Sequence, residues 1–75
     1  MERNLYSVQD VMIGFMNPEL MPNDEAAIRE YNNFLKATKN PTDMRLFKIG
    51  VFNDSTGEID PITPICLAGG GEQNE

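Results

Sequence analysis

Seventy-five residues are enough for one small domain. Twelve acidic side chains against six basic ones leave a net charge of −6, which opposes unspecific attraction to phosphate backbones. The chain has no histidine and one cysteine, which excludes imidazole acid–base chemistry, histidine-dependent nucleophile triads and an internal disulfide.

So short a chain buries only about 60% of the surface its unfolded form exposes, so self-association is expected to supplement the core. Cys66 lies in Pro64-Ile65-Cys66-Leu67-Ala68, with no base beside it, and reads as a small buried hydrophobe in a reducing compartment such as cytoplasm. The opening Met1-Glu2-Arg3-Asn4-Leu5-Tyr6 lacks the apolar run of a signal peptide, and no stretch approaches the ~20 apolar residues that span a bilayer. A soluble, unprocessed protein with no membrane partner is expected.

Residues 5–15 read as a first strand. Tyr6, Val8 and Met12 fall on one face, with Ser7 and Gln9 on the other. Val11, Ile13 and Phe15 continue the apolar pattern on the opposite parity, which predicts a bulge near Asp10, or protein covering both faces beyond it. Residues 17–22 make a proline-bounded connection. Asn23 is then an N-cap, and Asp24 and Glu25 sit at the positive end of the helix dipole. Ala27, Ile28, Tyr31, Phe34 and Leu35 form one apolar stripe at helical spacing. Asn40 and Pro41 stop this helix, at about residue 38 or 39.

Residues 44–53 make the second strand. Phe47, Ile49 and Val51 alternate to one face and Leu46, Lys48, Gly50 and Phe52 to the other. The lysine and glycine mark that second face as the one partly open to solvent or a partner. Tyr6, Tyr31, Phe34 and Phe47 read as core. Asp54-Ser55-Thr56-Gly57 carries turn chemistry, with Gly57 placed for a positive φ. A third strand returns over 58–65, and Pro61 and Pro64 make it an edge. Residues 68–75 read as a flexible acidic tail. The predicted fold is α+β: a single β-α-β-β domain over 1–67, one helix packed on a three-stranded, mainly antiparallel sheet.

Chemistry is sparse. Asp54, Glu58 and Asp60 cluster at a turn, where solvated acids are ordinary, and the chain is too short to build a desolvated pocket around them. The same acids with Thr56 resemble a calcium loop superficially, but Gly57 at the glycine position would put Phe52 at the first ligand position. Gly69-Gly70-Gly71 has no following lysine and is not a phosphate loop. No catalytic residue, metal ligand or cofactor is expected.

Two features suit binding. Arg29, Asn32, Lys36 and Lys39 recur at i, i+3, i+7 and i+10, a row able to lay cations along a phosphate backbone with amides free for bases. An ordinary solvated helix face, with Glu25 four residues before Arg29, is the competing reading. Phe52 shares a strand face with Lys48, so an aromatic beside a cation could stack a base; packing in the core or against a second copy is its alternative.

Leu5-Tyr6-Ser7-Val8 with Asp10, then Pro22-Asn23-Asp24-Glu25-Ala26-Ala27-Ile28-Arg29, follow one another in a recognisable order. Pro41 with Asp43, Leu46-Phe47-Lys48-Ile49-Gly50-Val51-Phe52 and Thr56-Gly57-Glu58-Ile59 complete it. The chain in this respect resembles the small nonstructural protein of gokushoviruses, single-stranded DNA phages of the Microviridae. That resemblance implies a DNA-binding protein, or one acting in viral single-strand synthesis and genome packaging, and brings no catalytic residues. Two hypotheses follow. The first is a non-enzymatic, oligomeric phage accessory protein of the host cytoplasm that assists single-stranded DNA production or packaging, touching DNA through Arg29, Asn32, Lys36, Lys39, Lys48 and Phe52. The second is an interaction module that binds a viral replication or capsid protein, or a host protein, by a sheet edge or strand face without touching DNA.

Overall fold

The computed structural model describes residues 2–69. Among them stand one α-helix and five strands: β1 (Glu2–Asp10), β2 (Gly14–Phe15), β3 (Glu19–Met21), α1 (Asp24–Ala37), β4 (Met44–Asn53) and β5 (Ile59–Gly69). The α+β class and the antiparallel sheet are as expected, but the sheet has five strands where three were predicted. Its order is β2-β1-β4-β5, with β3 also paired to β1, so two short strands in succession line the outer edge of β1.

The extra strands come from the misread parity change after Asp10. No bulge sits there. The chain reverses through Val11–Ile13, Asp10 accepts from the Ile13 and Met12 amides, and β2 returns with Gln9 opposite Phe15. A hairpin changes the parity of an apolar pattern as a bulge does, and sequence alone does not separate them. The chain then leaves β1 at Met16–Pro18 and rejoins it as β3, with Glu19 opposite Tyr6.

The helix starts as predicted: the Asn23 side chain accepts from the Ala26 amide at 2.8 Å. It ends at Ala37, just short of the expected stop, and Thr38 caps it in extended backbone. A 3₁₀ turn over Pro41–Asp43 leads into β4. The β4–β5 hairpin also follows expectation. Asn53 accepts at its side chain from the Ser55 and Thr56 amides, and Gly57 takes a φ of 80°. The last strand runs beyond the predicted residue 65 to Gly69, so Ala68 and Gly69 belong to the sheet and not to a tail. Residues 70–75, the rest of the predicted tail, lie outside the described residues.

The helix covers one side of the sheet. Tyr6, Ala27, Tyr31, Met44 and Leu46 are the buried apolar residues among those described, with Val8, Met21, Ile28, Phe34, Leu35, Leu67 and Ala68 packed around them. Cross-strand partners share a face, and Tyr6–Lys48, Val8–Leu46 and Asp10–Met44 are such partners, so the even positions of β4 up to Lys48 face the helix. This reverses the predicted polarity of the first half of that strand only: Leu46 and Lys48 belong to the covered side, and Phe47 to the side without a helix. Beyond Ile49, Gly50 and Phe52 face the open side and Val51 the other, as predicted. Phe47 is half-buried on the open side and lies outside the core cluster that Tyr6, Tyr31 and Phe34 join. Its cross-strand partner Cys66, on the edge strand β5, is exposed rather than buried as expected.

Candidate binding surface

Lys48 anchors the helix start. The buried Tyr6 hydroxyl accepts from the Asn4 amide at 3.0 Å and donates to Asp24 Oδ1 at 2.6 Å. Lys48 Nζ reaches the same carboxylate oxygen at 3.4 Å. Burial first, then the Asp24 hydrogen bond, pushes the Tyr6 hydroxyl up to about 12. Asp24 is held below the usual carboxylate range, chiefly by the Tyr6 hydrogen bond, with Lys48 adding to it. The Lys48 charge is therefore already engaged, with its side chain 24% exposed.

The other predicted contacts divide between surfaces. Arg29, Asn32 and Lys36 lie exposed on the outer face of α1. Lys39 is exposed too, but it follows the extended Thr38 cap and so leaves the helical row. Phe52 stands on the opposite side of the molecule. The ladders of β4 shift register between Lys48 and Gly50, placing Leu5 opposite Gly50 and Arg3 opposite Phe52. A bulge at Ile49 thus moves Phe52 off the Lys48 face to the side without a helix. Gly50 is the signal the sequence offers for this step, since an isolated glycine inside a strand often marks a bulge or a close backbone approach.

The uncovered side of the sheet has its own composition. By register it carries Arg3, Leu5, Ser7 and Gln9 of β1, Phe15 and Leu20 from the short strands, Arg45, Phe47, Gly50 and Phe52 of β4, and Ile59 of β5. Ser7 is small and buried, and across it the Phe15 and Phe47 rings meet edge to face, their centroids 5.3 Å apart. Phe52 sits between Arg3 on one neighbouring strand and Ile59 on the other.

The acidic residues of the strands alternate away from this face. Glu2, Asp10, Glu19 and Asp60 all have the helix-side parity of their strands. Asp24, Glu25 and Glu30 are on the helix, Asp43 lies in the 3₁₀ turn, and Asp54 and Glu58 lie at the β4–β5 turn. No strand acid among the described residues alternates to the uncovered side. From the turn, Asp54 meets Arg3 at 3.9 Å, with half of the arginine side chain still exposed.

Sequence reasoning did not bring Arg3, Arg45, Phe15 and Phe47 together on one face. Arg45 and Phe47 could have been found from their shared parity once Leu46 was assigned to the helix side. Phe15 required the hairpin after Asp10. Among the described residues, no group of three acidic, cysteine or histidine side chains is placed to hold a metal ion, and no helix is long and apolar enough to cross a membrane.

One helix laid on a single side of an antiparallel sheet, with aromatic and cationic side chains on the bare side, defines a small α+β domain with a surface rather than a cleft on that side. The chain belongs to the Phage ORF5 protein family, whose model matches residues 3–73. No curated protein and no solved structure matches it.

Proposed function

We propose that this phage protein acts by binding and not by catalysis, as an accessory to the production or packaging of single-stranded DNA in the host cytoplasm. The uncovered sheet face is its DNA-contacting surface. Family membership supports the phage setting, and the likeness to the gokushovirus nonstructural protein supports the single-stranded genome. The carrying observation is the face itself: Phe15, Phe47 and Phe52 between Arg3 and Arg45, on a side to which no described strand acid alternates.

Single strands are bound without sequence preference by stacking bases on exposed rings while cations track the backbone. Phe52 supplies the ring nearest Arg3, and Phe47 and Phe15 supply a second platform toward Arg45. A strand laid here cannot also touch Arg29, Asn32 and Lys36, which stand on the outer face of the helix. The test is fluorescence anisotropy with a labelled oligothymidylate. With two cations engaged, the log–log salt slope is about −1.4. Phe52→Ala with Arg3→Ala should weaken binding at least tenfold, at about 1–3 kcal/mol per stacked base. Absence of binding at low salt, or equal loss from Arg29→Ala with Lys36→Ala, would defeat this reading.

A second reading, as an oligomeric interaction module, has its own support. At the β1–β2 turn Met12 and Ile13 are 78% and 86% exposed, and Phe15, Met16 and Leu20 extend the apolar surface beside them. Contiguous apolar surface of this kind suits a protein partner, and a second copy of the chain is the occupant proposed for it.

A further inference from the structure

The helix side carries a surface of opposite character, independent of the DNA reading. An open-mouthed cavity of about 370 Å³ lies between α1 and the β1–β3 edge. Val8 and Leu46 line it from the sheet, Tyr31 and Phe34 from the helix, and Met16 and Met21 from the chain crossing the β1 edge. Glu19 and Glu30 are the charged residues that line it, and no lysine or arginine does. Neither carboxylate has a hydrogen-bond or ion-pair partner among the described residues.

This charge pattern rejects a phosphate chain and attracts a cation. The volume is at the small end of the ~300–1,000 Å³ of ligand sites, which suits one or two side chains and not an extended small molecule. We infer that this cleft takes a basic segment of a partner polypeptide: an apolar side chain seated against Tyr31, Phe34 and Met21, flanked by lysine or arginine heads on Glu19 and Glu30. The flexible thioethers of Met16 and Met21 suit such a seat, since they adapt to anchors of different shape.

The probe is a twelve-residue synthetic peptide of alternating leucine and arginine, titrated into the ¹⁵N-labelled full chain. Resonance shifts should concentrate at Val8, Ala27, Tyr31, Phe34 and Leu46. Glu19→Gln with Glu30→Gln should weaken binding about fivefold, because each exposed ion pair changes affinity only a few-fold. Glu25→Gln with Asp60→Asn removes the same charge elsewhere and should weaken it less than twofold. A peptide with serine in place of leucine should lose most of its affinity. Thermal melts of both double variants verify that each remains folded. Equal losses in the two variants, shifts spread over the acidic surface or on the uncovered sheet face, serine-peptide binding as tight as the parent's, or no binding would each overturn the inference.

Discussion

Replacing Tyr6 by phenylalanine keeps the buried ring and removes only its hydroxyl, so it isolates the polar joint between sheet and helix. That hydroxyl donates to Asp24 and accepts from Asn4. A hydrogen bond to a charged acceptor contributes about 1.5–3 kcal/mol. Asp24 retains 44% side-chain exposure and its Lys48 partner, so water recovers part of the loss. The lower half of the range applies, about 1.5–2 kcal/mol. For a domain of this size that lowers the melting temperature by roughly 6–16 °C. Urea denaturation and thermal circular dichroism at neutral pH measure both quantities.

The alkaline limb supplies an independent check. The folded state holds the Tyr6 proton up to about 12, against 10.0 for an ordinary tyrosine. This stabilisation is therefore fully present below pH 10 and lost as pH rises toward 12, an amount on the order of 2–3 kcal/mol. The Tyr6→Phe chain lacks that loss, while both chains share the titration of Tyr31, whose hydroxyl burial also raises. At the acid end the sign reverses. Asp24 is depressed in the fold, so its contribution is present above the ordinary carboxylate range and lost as pH falls through its lowered value. The variant's acid limb should be shallower. A neutral-pH loss under about 0.5 kcal/mol, or parallel curves above pH 10, would refute the account.

Asn23→Ala removes the acceptor for the Ala26 amide and should cost about 1 kcal/mol by urea denaturation. Gly69→Ala should cost roughly 2 kcal/mol or more, because φ is 98° there and a methyl group would overlap the Tyr31 hydroxyl and the Met44 carbonyl; a neutral result would remove Gly69 from the sheet. Met12→Asp with Ile13→Asp should leave the melting temperature within a few degrees but shift sedimentation equilibrium toward monomer. An unchanged mass distribution would exclude the β1–β2 turn as the self-association surface.

Legibility followed the range of the interactions involved. The Asn23 cap, the apolar stripe of α1 and the Asp54–Gly57 turn are set by neighbours within a few residues, and all three were readable, though not the part Asn53 plays in closing that turn. Residues 11–21 were not. Gly14 sits in a run that looks like continuous strand, and the reversal there is stabilised by pairing with β1 rather than by a strong turn dipeptide. The candidate surface was least legible, because which residues share it depends on facing. Lys48 was read as open because it is a lysine, yet it lies on the helix side, where Asp24 meets it. Phe52 was placed beside it by simple alternation, and the register shift near Ile49 separates the two. Of the predicted residues, Arg29, Asn32 and Lys36 do share a surface, and Lys39 departs from their row at the helix cap.

The net charge of −6 is a statement about the whole chain, whereas a bound strand responds to charge within a screening length of where it lies. The acids of α1 are separated from the uncovered face by the helix layer and the sheet, packed elements whose spacing is about 10 Å. At physiological salt the Debye length is about 8 Å, so those acids are largely screened from a phosphate on the far side, while Arg45 and Arg3, the latter shared with Asp54 at 3.9 Å, are not. At 0.01 M the length is about 30 Å and the helix acids act on that phosphate as well. Lowering the salt therefore strengthens attraction and repulsion together. For a uniformly acidic surface it would strengthen repulsion alone, and affinity would fall steadily as salt is removed. On the proposed reading, segregation of charge rather than its sum would let an acidic chain of this size take a polyanion on one face and a polycation on the other.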